Sequence, residues 1–96
     1  MTLRRNPQVE ASPLKGELLL FNGNANKFFV MNASAAFIWE QLREPAGEDA
    51  LAERMCASFS GVGIQQALED VRKTLRMMLD LGLLIDEGQA AKAQGS

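Results

Sequence analysis

The side chains that most often carry enzymatic chemistry are nearly absent from this sequence. It contains no histidine and no tyrosine, and its single cysteine is Cys56. Without histidine, neither a Ser-His nor a Cys-His pair can activate a nucleophile. One thiolate cannot complete a structural zinc site, and it has no partner for an internal disulfide. These absences predict a protein that is not an enzyme and that holds no cofactor and no metal.

The carboxylates and glycines form no catalytic pattern either. Acidic pairs such as Glu48 and Asp49 are sequence neighbours, and neighbours on a helix point about 100° apart. Gly61 and Gly63 follow a predicted helix rather than a strand, so they do not match the dinucleotide-binding fingerprint. We interpret the carboxylates as solvated surface groups, and the remaining function to be explained is binding.

Length and charge narrow the class of partner. The chain has 96 residues, of which 47% are hydrophobic and 23% charged, the balance of one small globular domain with a modest core. Ten basic residues against twelve acidic ones give a net charge of −2 and a pI near 5.0. Sequence-independent binding to nucleic acid needs a basic face, so we expect no nucleic-acid partner.

Nothing in the hydropathy pattern indicates a membrane protein. The longest apolar runs, residues 18–21 and 28–31, are far shorter than the roughly 20 residues of a membrane-spanning helix. The first ten residues contain Arg4 and Arg5 but no apolar stretch behind them, which argues against a secretory signal. We therefore expect a cytoplasmic protein with no membrane partner.

The first half of the chain has the pattern of a three-stranded antiparallel sheet. Residues 9–12 are a weak strand candidate, and a turn separates them from residues 17–22, a short apolar run between two glycines. The asparagine-rich segment 22–26 predicts a hairpin turn. Residues 27–31 follow with two phenylalanines and a valine, which are good strand formers.

The second half predicts three helices. Asn32 is the expected N-cap of the first, two acidic residues open the second, and the third runs from about Ile64 to Leu81 and ends at Gly82. The apolar stripes of the three helices are Ala35, Ile38, Trp39 and Leu42; Leu51, Ala52, Met55 and Phe59; and Ile64, Leu68, Val71, Leu75, Met78 and Leu79.

This order of elements, with a short turn between the second and third helices, predicts an α+β domain of the winged helix-turn-helix type. The domain is expected to span residues 8–86. Residues 1–7 are expected to form a flexible N-terminus, and residues 87–96, which are small and polar, a flexible C-terminal tail.

Two segments of the chain resemble one known family. Residues 28–39 read Phe-Phe-Val-Met-Asn-Ala-Ser-Ala-Ala-Phe-Ile-Trp, which is similar to the family's aromatic strand, Leu-Asn, small residues and Ile-Trp. Residues 68–85 contain an Asp-Val, a leucine-rich face and a terminal Gly-Leu-Leu, which is similar to its closing helix. In this order, over about residues 8–86, they resemble the PqqD family, named for the pyrroloquinoline quinone (PQQ) pathway and also called the RiPP recognition element.

The resemblance implies a non-catalytic adapter without a cofactor. Members of the family bind the leader of a ribosomally made precursor peptide and present it to a modifying enzyme, often a radical S-adenosylmethionine enzyme, as in PQQ biosynthesis. The leader adds as an extra strand along the third strand and lies against the third helix. These elements correspond here to residues 27–31 and to the helix from Ile64.

Alternation along the third strand divides its side chains between two faces. Phe29 and Met31 share one face and Phe28 and Val30 the other. Met31 matches a core position of the family, so the resemblance implies that the first pair points into the core. The functional interpretation is an edge whose backbone groups accept a peptide strand. The alternative is an ordinary edge covered by the protein's own loops, on which Lys27 alone discourages aggregation.

The rest of the expected site lies on the third helix. At about 100° per residue, Met77 and Leu81 lie off the main apolar stripe, beside Asp70 and Thr74. This second face fits either a peptide groove or packing against the first strand. The predicted peptide-binding residues are therefore Lys27, Phe28, Phe29, Val30, Met31, Asp70, Thr74, Met77 and Leu81.

Two other classes of function compete with a peptide adapter. A winged-helix DNA-binding regulator is the first, because one fold serves many functions and Arg72, Lys73 and Arg76 lie on the third helix. Neighbouring carboxylates cancel this charge, so we expect no measurable affinity for DNA at about 150 mM salt. The second is a structural subunit that forms a homodimer through its edge strand.

Phe37 has no place on the first helix's apolar stripe. It lies about 160° from Trp39 around the helix axis, and its neighbours on that side are mostly polar. Either the short helix is buried nearly all round, or Phe37 is exposed and marks a partner surface. We expect burial, because a central helix in a small domain contacts both the sheet and the other helices.

Overall fold

The computed structural model describes residues 2–87 of the protein. Two hairpins join three strands into the first of its sheets. The strands pair antiparallel in the order β2 (Val9–Leu14), β3 (Glu17–Asn22) and β4 (Lys27–Met31). Gly16 (φ +78°) and Asn26 (φ 54°) have left-handed backbone in the two turns, a conformation that glycine and asparagine adopt most readily. The predicted three-stranded antiparallel sheet is confirmed.

The register of the sheet determines which face is buried. Met31 lies opposite Leu18, and Phe29 lies opposite Leu20. Leu18, Leu20 and Met31 are buried and Phe29 is half-buried against the same core. Because directly opposed residues of an antiparallel pair share a face, these pairs form the face that covers the helices. The expectation that Phe29 and Met31 point inward is confirmed.

Three helices follow the sheet: α1 (Ala33–Gln41), α2 (Glu48–Ser58) and α3 (Ile64–Asp80). Asn32 caps α1 as expected, its Oδ1 accepting the backbone N–H of Ala35 at 3.0 Å. Gly82, at φ +75°, allows the chain to turn after α3. The predicted α+β fold is confirmed. Within residues 2–87, no helix is long and apolar enough to cross a membrane.

The buried stripe of α3 differs from the predicted one at its start. Ile64 was expected in the core but is 48% exposed, whereas Ala67, one turn later, is fully buried. Side chains on a helix tilt toward its N-terminus, and Ile64 is the first residue of α3. Its side chain therefore extends past the end of the core.

A second, smaller sheet was not predicted. It consists of β1 (Thr2–Arg5), β5 (Ala46–Gly47) and β6 (Leu84–Asp86), with β1 in the centre. The sequence suggested a flexible N-terminus over residues 1–7, but Thr2–Arg5 pairs antiparallel on both sides, and Leu3 is only 1% exposed. The expected C-terminal tail lies, beyond Glu87, outside the described residues.

Arg5 attaches this second sheet to α1. Its Nε and Nη2 donate hydrogen bonds to the carbonyl oxygen of Trp39 at 2.9 and 2.6 Å, and its guanidinium carbon lies 4.8 Å from the centre of the Trp39 ring. Burial lowers the pKa of Arg5, an effect that the nearby carboxylate of Glu40 opposes. A cation near the C-terminal carbonyls of a helix is also favoured by the helix dipole.

Phe37 occupies an intermediate position. Its side chain is half-buried and packs against the hydrophobic core. Its ring meets that of Phe59 edge to face, with centroids 5.2 Å apart and an angle of 83° between the planes. This arrangement is favourable for aromatic pairs. Phe37 thus packs against Phe59, the residue that follows α2. This position is closer to the expected burial than to full exposure on a partner surface.

Candidate functional site

β4 forms an edge of the first sheet. Among the described residues it pairs with β3 alone, from Leu18 opposite Met31 to Asn22 opposite Lys27. In an antiparallel ladder, every second residue directs its N–H and C=O toward the partner strand, and the residues between direct theirs away from it. β4 therefore presents unpaired backbone donors and acceptors along its outer side.

The outward side chains of this edge are apolar. Phe28 is 66% exposed and Val30 is 56% exposed. The ring of Phe28 packs on that of Phe21 in β3, with centroids 4.6 Å apart. Natural proteins usually protect an edge with charges or prolines, and in β4 Lys27 alone is charged. This edge is thus suited to pairing with another extended chain.

A cleft of about 370 Å³ opens beside the C-terminal end of β4. Its walls come from the end of β4, the start of α1 and the middle of α3. The lining residues are Val30, Met31, Asn32, Ala35, Lys73, Thr74 and Met77. The volume lies at the lower end of the range for ligand sites, and apolar side chains make up most of the surface. The cleft can therefore hold side chains of a strand that adds to β4.

Asn22, the last residue of β3, connects the β3–β4 hairpin to the end of α3. It is 3% exposed, and its Nδ2 donates to the carbonyl oxygens of Leu81 and Gly82 at 3.2 and 3.3 Å. Its Oδ1 accepts the backbone N–H groups of Asn24 and Ala25 at 3.0 and 3.3 Å. One buried side chain thus holds the β3–β4 turn against the end of α3. This contact links the hairpin that carries β4 to the C-terminal end of α3.

Comparison with known protein families identifies the family to which this sequence and its cleft belong. The family described as coenzyme PQQ synthesis protein D (PqqD) matches residues 17–84. The chain belongs to the PqqD family. The matched segment contains β3, β4 and all three helices, so every residue that lines the cleft lies inside the PqqD match. No curated protein matches the sequence.

Two solved structures have the same fold as this PqqD-family chain. One is described as TbiB1 in complex with the TbiA(beta) leader peptide; it is 23% identical, with a TM-score of 0.76, and the match covers 84% of this chain and 93% of that one. The other is described as lasso peptide synthetase B1 complexed with the leader peptide; it is 17% identical, also with a TM-score of 0.76, covering 88% and 98%. At these identities the similarity shows the fold.

The cleft brings together part of the predicted site. Val30 and Met31 of β4 and Thr74 and Met77 of α3 all line it. Three further predicted residues, Lys27, Phe28 and Phe29, belong to the same strand but do not line the cleft. The two predicted elements, β4 and α3, therefore do face a common space.

The other two predicted residues do not line the cleft. Asp70 is exposed on α3, and Leu81 is half-buried and packs against the hydrophobic core. Leu81 follows the last residue of α3 and is the C-cap. Leu81 therefore contributes to the core at the end of α3 rather than to the cleft.

The predicted site omits three residues that line the cleft: Asn32, Ala35 and Lys73. The sequence explains Asn32 fully as a cap and Ala35 fully as part of the core stripe. Lys73 fits a solvated charged face when the helix is considered alone. Its adjacency to Thr74 is the available signal, since Thr74 belongs to the predicted set.

Proposed function

We propose that this protein is a non-catalytic adapter that binds the leader of a ribosomally made precursor peptide by strand addition. The observation that carries the proposal is the position of the cleft directly beside the unpaired edge of β4. A peptide strand on β4 would satisfy the outward backbone groups of that edge. Because side chains of a strand alternate, every second residue of the peptide would enter the cleft or the space next to it.

The relatives support the same function. Both similar structures are described as complexes with a leader peptide, and the chain belongs to the PqqD family. The adapter would present the bound leader to a modifying enzyme, of the radical S-adenosylmethionine class that often works with the family. We place this exchange in the cytoplasm, where ribosomally made precursor peptides are synthesised. A short precursor gene and a radical-enzyme gene beside this one would support the assignment.

A charged side chain in the cleft is expected to weaken peptide binding. Met77 is 39% exposed and lines the cleft, so Met77→Glu would set a carboxylate against the bound strand, where its desolvation is unfavourable. We expect about a tenfold loss of affinity, or roughly 1.4 kcal/mol. The measurement is fluorescence anisotropy with labelled synthetic leaders from precursor genes adjacent to this one.

Ile64→Glu is the matched control for this experiment. Ile64 lies on the same helix, is 48% exposed and does not line the cleft. The Ile64→Glu variant should bind the leader with the same affinity as the unaltered protein. Equal affinities for the Met77→Glu and Ile64→Glu variants, both folded by circular dichroism, would contradict the assignment of the cleft.

The charges of α3 favour a peptide over DNA as the partner. Arg72 Nε lies 2.9 Å from a carboxylate oxygen of Glu48, and Arg76 lines a 160 Å³ cavity together with Glu48 and Asp80. These neighbouring carboxylates offset the positive charge that phosphates would require. We expect no electrophoretic mobility shift with duplex DNA at about 150 mM salt. Tight, sequence-selective binding would favour a DNA-binding regulator over a peptide adapter.

Pairing of two copies through β4 is the remaining use of this edge. The exposure of Phe28 and Val30 favours it as a second candidate, since a row of exposed apolar residues on an edge promotes self-association. One edge accepts one strand, so a homodimer of this kind would exclude the leader. Analytical ultracentrifugation with and without the leader shows whether a dimer uses β4. The leader should dissociate a dimer formed through β4, and a dimer that it does not dissociate would use another surface.

A further inference from the structure

Lys73 is set apart from the other basic residues of α3. Arg72 is paired with Glu48, and Arg76 lines the cavity on the side of β1. Lys73 instead lines the cleft beside β4, where it is the charged residue among the lining side chains. Within residues 2–87, no ion pair involving Lys73 is formed. The cleft thus combines apolar walls with one positive charge that forms no ion pair within the described residues.

The spacing along α3 matches that of a peptide strand. Lys73 and Met77 line the same cleft and are four residues apart, which is about 6 Å along a helix axis. Side chains on one face of a strand repeat every two residues, or about 6.6 Å. A strand running beside α3 that sets one side chain against Met77 therefore sets the next side chain of the same face near Lys73.

We infer that the leader recognised here carries an acidic residue two positions from an apolar residue. The apolar side chain would occupy the cleft against Met31 and Met77, and the carboxylate would meet the ammonium group of Lys73. This inference rests on the proposed strand addition and adds a sequence requirement to it. An acidic residue one position away would point to the opposite face of the strand and would not reach Lys73.

Selection from a peptide library tests this requirement even while the natural leader is unidentified. Random twelve-residue peptides displayed on phage are selected on the immobilised protein, on Lys73→Glu and on Lys15→Glu. Lys15 is the matched control, because it lies exposed in the turn between β2 and β3 and does not line the cleft. We expect apolar-x-acidic peptides from the unaltered protein and from Lys15→Glu, and apolar-x-basic peptides from Lys73→Glu.

A charge exchange with one selected peptide gives the magnitude. Replacing its acidic residue by lysine should lower affinity for the unaltered protein about tenfold and restore it on Lys73→Glu, as expected for reversal of a partly exposed ion pair. The difference should shrink as salt is raised. Proline variants of β4 show whether the selected peptides use that edge.

The two ways of failing are distinguishable. Peptides that require β4 but show no acidic residue at this spacing, or that keep their preference on Lys73→Glu, would overturn the inference and leave strand addition in place. Selected peptides that bind β4 proline variants unchanged would overturn the proposed function itself, and the inference with it.

Discussion

Proline at one of two adjacent positions in β4, Phe29 or Val30, is expected to lower leader affinity by about 2 kcal/mol, roughly thirtyfold. Successive residues of an edge strand direct their N–H groups to opposite sides. Only one of these two residues can therefore donate to an added strand, while the other donates to β3. Proline at the outward position removes that donor and leaves a carbonyl of the peptide unpaired, but it is compatible with an edge strand.

The second proline variant has a different expected defect. Its missing N–H belongs to the ladder between β3 and β4, so the protein itself should lose stability. The pair of variants thus predicts one folded protein that does not bind and one destabilised protein. Alanine at the same two positions controls for the lost side chain, and near-ultraviolet circular dichroism monitors the packing of the hairpin. Two folded proline variants with the affinity of their alanine counterparts would exclude strand addition to β4.

Local sequence signals were sufficient to predict the strands and the turn that form the candidate site. The run at residues 17–22, the asparagine-rich turn and the aromatic strand at residues 27–31 each have a short-range physical cause. Alternation grouped Phe29 with Met31, the resemblance to the PqqD family placed this pair inward, and the structure agrees. Position on the helix was likewise enough to separate Met77 from the core stripe, although its use as a cleft wall depends on where β4 lies.

Long-range pairing accounts for what the sequence did not predict. Leu3 pairs with Ala46 on one side and with Asp86 on the other. β1 therefore pairs with two segments that each lie more than forty residues away along the chain, and the longest of the three segments has four residues. Segments this short carry no periodic pattern. The N-terminal residues looked unstructured because nothing in their own neighbourhood pairs with them.

The sequence could not predict which residues line the cleft, for a related reason. A helix projection shows which residues leave the core stripe, but not which flank of the helix meets another element. Lys73 and Asp70 both flank the stripe of α3, yet only Lys73 lines the cleft. That distinction depends on how α3 packs against the sheet, an arrangement to which the hydrogen bonds of Asn22 at the end of α3 contribute.

Replacing Asn22 by alanine is expected to destabilise the protein by about 2–4 kcal/mol. The change removes the side-chain partner of the Leu81 carbonyl oxygen and of two N–H groups in the β3–β4 turn, and it leaves the Gly82 carbonyl oxygen with Nδ2 of Asn6 as its side-chain donor. Buried groups that lose a partner cost about 1–3 kcal/mol each, less where water enters. This loss is a large share of the 5–15 kcal/mol typical of a whole domain. The denaturant midpoint measures it.

Asn24→Ala is the control for this prediction, because Asn24 lies exposed in the same turn. A midpoint for Asn22→Ala equal to that of Asn24→Ala would show that the hydrogen bonds of Asn22 contribute little. Folded Asn22→Ala should also bind the leader more weakly, since the hairpin that ends in β4 would no longer be held to α3.

Gly82 tests the same contact from the side of the helix. A Cβ at this position would lie 3.0 Å from Nδ2 of Asn22, and the backbone there has φ +75°. Gly82→Ala therefore combines backbone strain with a steric clash. When Asn22 is already alanine, the clash disappears and the strain remains. The double variant should consequently lose less stability than the sum of the two single variants, whereas simple additivity would mean that the two residues act independently.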